Sequence, residues 1–323
     1  MLTRPDAPST TELCSGKKTI YHEPWWLDIA TSRTWDMVSV EESRRCVGWM
    51  PYVLTKRHGF VENVMPLVTS FLGPVLEEHP GSAVAKVRRQ LSVTAELISK
   101  LPKADRFYQK FHASTENVMP FQAAGYNALV QFNFLITPDT EKALWMNMRD
   151  KVRNVIRQSQ QREKAETIVD VDEFFARYSS NLLTRGLEPD FEFQQARLLM
   201  TECLRRDRGK VIGIRDQSGN LTSALIYVWD DQAAYYKLST RDANDKNNGA
   251  ISHLIWEAIK DVTGKGKTFD FDGVPNIGSA RFFSGFGGQI VPRYGAEGSS
   301  YLYKVYHAVR RQVSGRQKVT RFY

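Results

Sequence analysis

Apolar and polar positions alternate, in part, along three early runs, residues 34–40, 46–56 and 60–65, and Arg57, His58 and Gly59 turn the chain between the last two. Alternation places successive side chains on opposite faces, so these runs predict a three-stranded meander. A different period follows. Val84, Val87, Leu91, Ala95 and Ile98 recur every three or four residues behind Ser82, which predicts an amphipathic helix over 82–100 with Ser82 as its cap. Strands are expected at 106–111 and 127–136, and Thr137-Pro138-Asp139 then opens one long helix, capped by Thr137 or Asp139, running to about residue 160.

The second half repeats this order. A strand at 167–171 and helices at 172–183 and 193–207 precede strands at 210–215, 221–229 and 233–240, joined by Ser218-Gly219-Asn220 and Asp230-Asp231-Gln232 turns. A Gly- and Asn-rich loop over 242–249 leads to a helix at 250–262 with Ile251, Leu254, Ile255, Ala258 and Ile259 on one face. A strand at 268–272, a short helix near 279–283 and closing strands at 289–292 and 300–306 complete the pattern.

The chain of 323 residues has room for about two domains. The repeated grammar divides it into an N-terminal arm (1–24), a first domain (25–165), a second domain (166–307) and a basic tail (308–323). Three scattered cysteines, Cys14, Cys46 and Cys203, form no CxxC pair, and none of the six histidines stands at ligand spacing. No metal is expected, and a reducing, cytoplasmic compartment fits. The start of the chain has no apolar signal-peptide core, and no run is long enough for a membrane span.

The formal charge of +8 changes the picture only through its location. Residues 149–164 hold six cations against two acids, and residues 301–323 hold six cations and no acid. Lys151, Arg153 and Arg157 lie on the predicted long helix, where positions 153 and 157 share a face able to grip an anionic acceptor; a solvated face is the alternative. The tail is expected to be a frayed extension, with a membrane-surface or RNA contact as the other possibility.

Asp270 and Asp272 stand two apart on a strand expected to be buried, so both point one way. A buried carboxylate needs a partner, and the pair offers either a general base for an amine or a structural contact, with Arg281 for example. Arg281 and Phe282 follow on the short helix. Tyr235 and Lys237 would share one face of the strand before, with Tyr236 on the other. A tyrosine can protonate a leaving thiolate and a lysine can hold a phosphate, yet strand tyrosines also simply pack. Leu238, Ser239 and Thr240 end that strand, and Asn248, Gly249 and Ala250 begin the helix after it. Cys203, beside Arg205 and Arg206, is either an activated thiol or a core residue.

Three stretches carry a family resemblance. Pro120-Phe121-Gln122-Ala123-Ala124-Gly125-Tyr126, the run from Leu144-Trp145 to Arg157-Gln158-Ser159, and Phe269-Asp270-Phe271-Asp272-Gly273 with Ala280-Arg281-Phe282-Phe283-Ser284-Gly285-Phe286-Gly287 are similar to motifs of the Fem-type peptidoglycan-bridge aminoacyltransferases and of GNAT-domain proteins from polysaccharide gene clusters. The resemblance spans about residues 25–306. It implies an α/β (α+β) fold of two tandem GNAT-like domains, each a mixed, mostly antiparallel sheet flanked by helices.

It also implies a function: transfer of an acyl or aminoacyl group from an activated carrier to an amine on a sugar, amino acid or cell-envelope precursor. In GNAT domains two central strands splay, and free backbone groups on the fourth hold the acyl-thioester arm beside a helix N-terminus that binds pyrophosphate. Here that assigns Lys237, Leu238, Ser239, Thr240, Asn248, Gly249 and Ala250 to the donor, and Asp272 and Tyr235 to catalysis. Lys151, Arg153, Arg157, Asp270, Arg281 and Phe282 fall to a glycan or peptide-precursor acceptor. The donor is acyl-CoA or another acyl-carrier thioester, with acyl carrier protein or aminoacyl-tRNA as the other carriers; the chain has no heptad run like the coiled-coil insertion of the tRNA-dependent enzymes. The alternative is a non-catalytic nucleic-acid-binding or scaffold protein on a degenerate GNAT fold.

Overall fold

A computed structural model describes residues 16–168, 170–184, 186, 191–241 and 249–314. Its contacts form two compact units, residues 1–131 with 292–322, and residues 132–291, so the chain crosses between units at 131/132 and 291/292 rather than near residue 165. Asn248 and the tail beyond Ser314 lie outside the described residues.

In the first unit a 3-10 turn (Ile20–His22) and α1 (Pro24–Ala30) precede β1 (Trp35–Glu42), β2 (Arg45–Arg57), β3 (Phe60–Asn63) and β4 (Val75–Leu76). Then come α2 (Ala83–Lys100), β5 (Arg106–Lys110), α3 (Met119–Ala123) and β6 (Asn127–Ile136), which runs on into the second unit. The expected arm is partly built in: Thr19, Ile20, Tyr21 and His22 are buried, because the Tyr21 ring meets Trp26 and Phe71 edge-on at 4.9 and 4.7 Å. The expected meander forms through antiparallel β1–β2 and β2–β3 pairing. Ser82 caps α2, its Oγ accepting from Ala85 N at 3.3 Å. The buried face differs from the expected one, since Val93, Thr94, Leu97 and Ile98 face the core while Val84 and Val87 are exposed.

In the second unit α4 (Glu141–Asn147), α5 (Asp150–Arg162), β7 (Ala165–Ile168), α6 (Val171–Thr184) and α7 (Phe191–Arg205) lead to β8 (Gly209–Arg215), β9 (Leu221–Trp229) and β10 (Ala233–Arg241). There follow α8 (Ala250–Thr263), β11 (Thr268–Asp270), α9 (Ile277–Ser284) and β12 (Gln289–Ser299), whose second half returns to the first unit together with α10 (Tyr301–Ser314). The strand order is β6-β11-β10-β9-β8-β7 here and β1-β2-β3-β5-β12 in the first unit. Among the described residues β3 pairs with β5, and β10 with β11, in parallel. Alternation sends Ile212, Ile214, Leu225 and Tyr227 into the core under α8, and sends Val211, Ile226 and Val228, also buried, to the face that α6 and α7 cover.

Two expected elements change. The long helix after residue 137 is two helices, capped by Thr140, whose Oγ1 accepts from Ala143 N at 3.2 Å. It breaks at Met148 and Arg149, because Arg149 N donates to Gly285 O at 2.9 Å. The chain turns tightly against this break: a Cβ on Gly287, at φ +79°, would stand 2.5 Å from Asn147 O. The expected strand at 300–306 is instead the start of α10. Alternating Tyr301, Tyr303 and Val305 suggest a strand, yet Ser300 Oγ accepts from Tyr303 N at 3.3 Å and starts a helix. The basic tail is therefore helical to Ser314.

Candidate functional site

The parallel pair β10–β11 organises the second unit. Register runs Ala233↔Thr268, Ala234↔Phe269 and Tyr235↔Asp270, where β11 ends while β10 continues to Arg241. Among the described residues no strand pairs with β10 on that side beyond Tyr235. A row of backbone N–H and C=O groups therefore faces the gap, the kind of edge that receives an extended ligand.

A bulge sits at the mouth of this gap. Tyr236 pairs with Tyr227 and Leu238 with Ile226, so Lys237 is the extra residue. The bulge breaks the expected alternation and brings Tyr236 and Ser239 together, their hydroxyls 2.5 Å apart. Burial raises the Tyr236 pKa against the lowering effect of Ser239, so the phenol keeps its proton at neutral pH. Its ring is held edge-on to Phe283 at 5.7 Å. Thr240 Oγ1, also on this strand, is buried with no hydrogen-bond partner among the described residues, and Leu238 is buried in the core.

Lys237 turns inward. Its Nζ lies 2.7 Å from Asp272 Oδ2, and each side chain is only 5% exposed. Asp272 stands beyond β11 at φ +62°, and its backbone N donates to Asp270 Oδ1 at 2.6 Å. Asp270 Oδ1 also accepts from Asn133 Nδ2, and Asn133 Oδ1 accepts from Gly273 N at 2.9 Å. The two aspartates are thus brought together, but by a turn after the strand. Asp272 takes Lys237 as its partner in place of Arg281, which is exposed on α9. Asn133, fully buried, is a member of this cluster that sequence reasoning missed; a polar residue between Phe132 and Phe134 in β6 is its only signal.

The other candidates separate from this cluster. Tyr235 OH donates to Asp230 Oδ2 at 2.7 Å, which fastens it to the β9–β10 turn. Arg153 spends its guanidinium on Met146 O at 3.0 Å and on Asp150, closing the end of α4. Arg157 lies 5.2 Å from the centre of the Trp145 ring, while Lys151 is exposed. Phe282 is partly exposed and packs edge-on to Phe286 at 5.5 Å. Cys203 is buried, which drives its thiol pKa up and leaves it unactivated by the neighbouring arginines. Among the described residues no group of three or more His, Cys, Asp or Glu could hold a metal.

Gly249 opens α8 at φ +78°, with Ala250 buried behind it. A Cβ there would meet Val155 Cγ1 at 2.4 Å and Val155 O at 2.8 Å, so α5 presses on this helix start. Gly249→Ala should cost about 2–3 kcal/mol, from left-handed strain and overlap together. Urea unfolding of the variant checks this, and an unchanged midpoint would show that α5 moves aside freely.

The first unit repeats the parallel pair but closes its gap. Pairing of β3 with β5 covers Glu62↔Arg106 and Asn63↔Phe107. Further along β5 the position of the missing strand is taken by Leu72: its N donates to Lys110 O at 2.7 Å, and its O accepts from His112 N at 3.2 Å. Phe71 and Leu72 are buried, and Gly73 at φ +96° leaves space for the Phe111 ring, which a Cβ would approach to 2.6 Å.

No protein-family model matches the chain, and no curated protein sequence does. Solved structures do resemble it. FemX aligns over 92% of this chain and 95% of its own at a TM-score of 0.64 and 11% identity. The C-terminal domain (DUF2156) of a putative lysylphosphatidylglycerol synthetase from Agrobacterium fabrum aligns over 90% and 91% at 0.56 and 14% identity. A tandem GNAT protein from the clavulanic acid biosynthesis pathway aligns over 82% and 83% at 0.53 and 12% identity. At these identities the likeness is one of fold, and the fold is that of the GNAT acyltransferases.

Proposed function

We propose that this protein is an acyltransferase whose second unit moves an acyl or aminoacyl group from an activated carrier to an amine. The observation that carries the reading is the divergence of β10 from β11 after Tyr235 and Asp270, beside the N-terminus of α8. An extended thioester arm laid along β10 beyond its pairing with β11 would hydrogen-bond to backbone groups of that strand edge, and its carbonyl oxygen would gain most as negative charge develops. In the first unit Leu72 occupies the equivalent place, which favours the second unit as the reacting one. The two units are read as tandem GNAT-like domains, in keeping with the tandem GNAT neighbour.

In the reaction the acceptor nitrogen attacks the carbonyl carbon, a C–N bond forms, the carrier bond breaks, and one proton moves from the amine to the leaving group. Tyr236, kept protonated by burial and braced by Ser239, is better placed to protonate a leaving thiolate than Tyr235. Asp272 and Lys237 hold the mouth of the gap in shape, with Asp270 and Asn133 behind them. Acyl-CoA or another acyl-carrier thioester is the favoured donor. FemX and the putative lysylphosphatidylglycerol synthetase among the neighbours make an aminoacyl carrier the second donor to try.

The test offers the protein acetyl-CoA, longer acyl-CoA, acyl carrier protein thioesters and aminoacyl-tRNA. A true donor should raise the apparent thermal midpoint, since it binds only the folded state, and should turn over with one class of amine. Tyr236→Phe should lower the transfer rate about 100-fold while leaving donor affinity nearly unchanged. A stable protein that binds none of these donors would refute the proposal.

A further inference from the structure

The helix α10 buries one side in the first unit and leaves the other bare. On the packed side the Tyr303 hydroxyl donates to Glu62 Oε1 at 2.9 Å, and its ring meets Phe60 edge-on at 5.3 Å. Tyr306 lies 5.2 Å from Phe60, and Arg310 Nη1 is 2.7 Å from His58 Nε2. The other side carries Tyr301, Leu302, Val305 and Val309, exposed by 78, 70, 42 and 56%. Spacings of three, four and seven put these on one strip along the helix, so they form a continuous apolar ridge.

Charge surrounds the ridge. Lys304, exposed, borders it. Beside α10, the β2–β3 hairpin tip exposes Lys56, Arg57 and His58. From residue 301 to residue 323 the sequence has no acid to offset its six cations. A second copy of the chain would bring two such basic surfaces together and is disfavoured. Nucleic acid would use the cations but leave the aliphatic ridge in water.

We infer that α10 is a docking helix for an anionic membrane surface, lying in the plane of the bilayer with Leu302, Val305 and Val309 among the upper acyl chains. Lys304 and the Lys56–Arg57 tip then face lipid phosphates. Both requirements of an interfacial helix are met: an apolar strip and cations able to reach a negative surface. No described helix is long and apolar enough to cross a bilayer, so attachment of this kind would be peripheral and reversible. The inference does not depend on which group the protein transfers.

Sedimentation of the full chain with phosphatidylcholine vesicles, with and without about 30% phosphatidylglycerol, tests it. Binding is expected only with the anionic lipid and should weaken as salt rises. Leu302→Ser/Val305→Ser/Val309→Ser, neutral and confined to exposed positions, should reduce binding about tenfold with the thermal midpoint unchanged, and Lys304→Gln/Lys56→Gln should reduce it as well. Full binding by the triple serine variant would overturn the proposal, because the ridge would then do nothing. Absence of vesicle binding, whether the protein instead binds bulk RNA or pairs through this helix in solution, would overturn it too.

Discussion

Replacing Lys237 by methionine should lower stability by about 3–5 kcal/mol, since removing one member of a buried ion pair leaves the other charge poorly compensated. The ammonium lies 2.7 Å from Asp272 Oδ2, and both side chains are 5% exposed. For a unit of this size the loss corresponds to a fall of roughly 10 °C in the thermal midpoint. Lys237→Met combined with Asp272→Asn, which keeps at 272 a residue that tolerates φ +62°, should recover part of that stability, since no charge is then left buried. Donor turnover in the double variant then separates two roles. A stable but inactive protein would show that the pair shapes the mouth of the β10–β11 gap. Wild-type stability in the single variant would show that water reaches the pair and would remove it from the argument.

Acid should loosen the first unit well before carboxylates titrate. His22 is buried, and burial is the main cause of a pKa lowered to about 3, with the charges of His112 and Lys18 adding to it and a Gly73 backbone contact opposing it. Its Nδ1 accepts from Thr19 N at 3.3 Å, so the folded ring is neutral with its proton on Nε2. A histidine with a folded pKa below its unfolded value contributes stability that is complete above pH 6.5 and declines as pH falls. The loss should reach about 2 kcal/mol by pH 5 and about 4–5 kcal/mol near pH 3. Urea unfolding between pH 7 and 5 measures the slope, and His22→Gln should flatten it. A slope that persists in the variant would assign the effect to another group.

The sequence pattern identified most of the fold because most elements bury a face with the period of their own geometry. The meander, α8 and the β8–β9–β10 sheet all show this. Where it misled, a local hydrogen bond decided the outcome: Ser300 converts an alternating aromatic run into α10, and the Arg149 N–H lost to Gly285 divides one helix into two. Only Ile98 of the expected face of α2 is buried, because the helix turns Val93, Thr94 and Leu97 to the core and leaves Val84, Val87 and Ala95 exposed.

The site was legible in its strand and not in its roles. Periodicity located β10, but a single inserted residue at Lys237 brought Tyr236 and Ser239 together, which alternation alone sets on opposite faces. Alternation cannot reveal a bulge, because the partner strand defines it. Arg153 and Arg157 do lie on one helix, as their spacing required; what spacing could not show is that carbonyls at the end of α4 and the Trp145 ring take up their guanidiniums.

The course of the chain also sets an order of assembly on the ribosome. Residues 132–291 are contiguous, so the second unit has its strands before residues 292–299 are made. The first unit, although it begins the chain, must wait: Gly295 to Ser299 complete its sheet by pairing with β5, and Tyr303 seals Phe60 only after that. Translation therefore supplies the second unit first, and the nascent first unit stays open along β5 until residues 295–299 emerge.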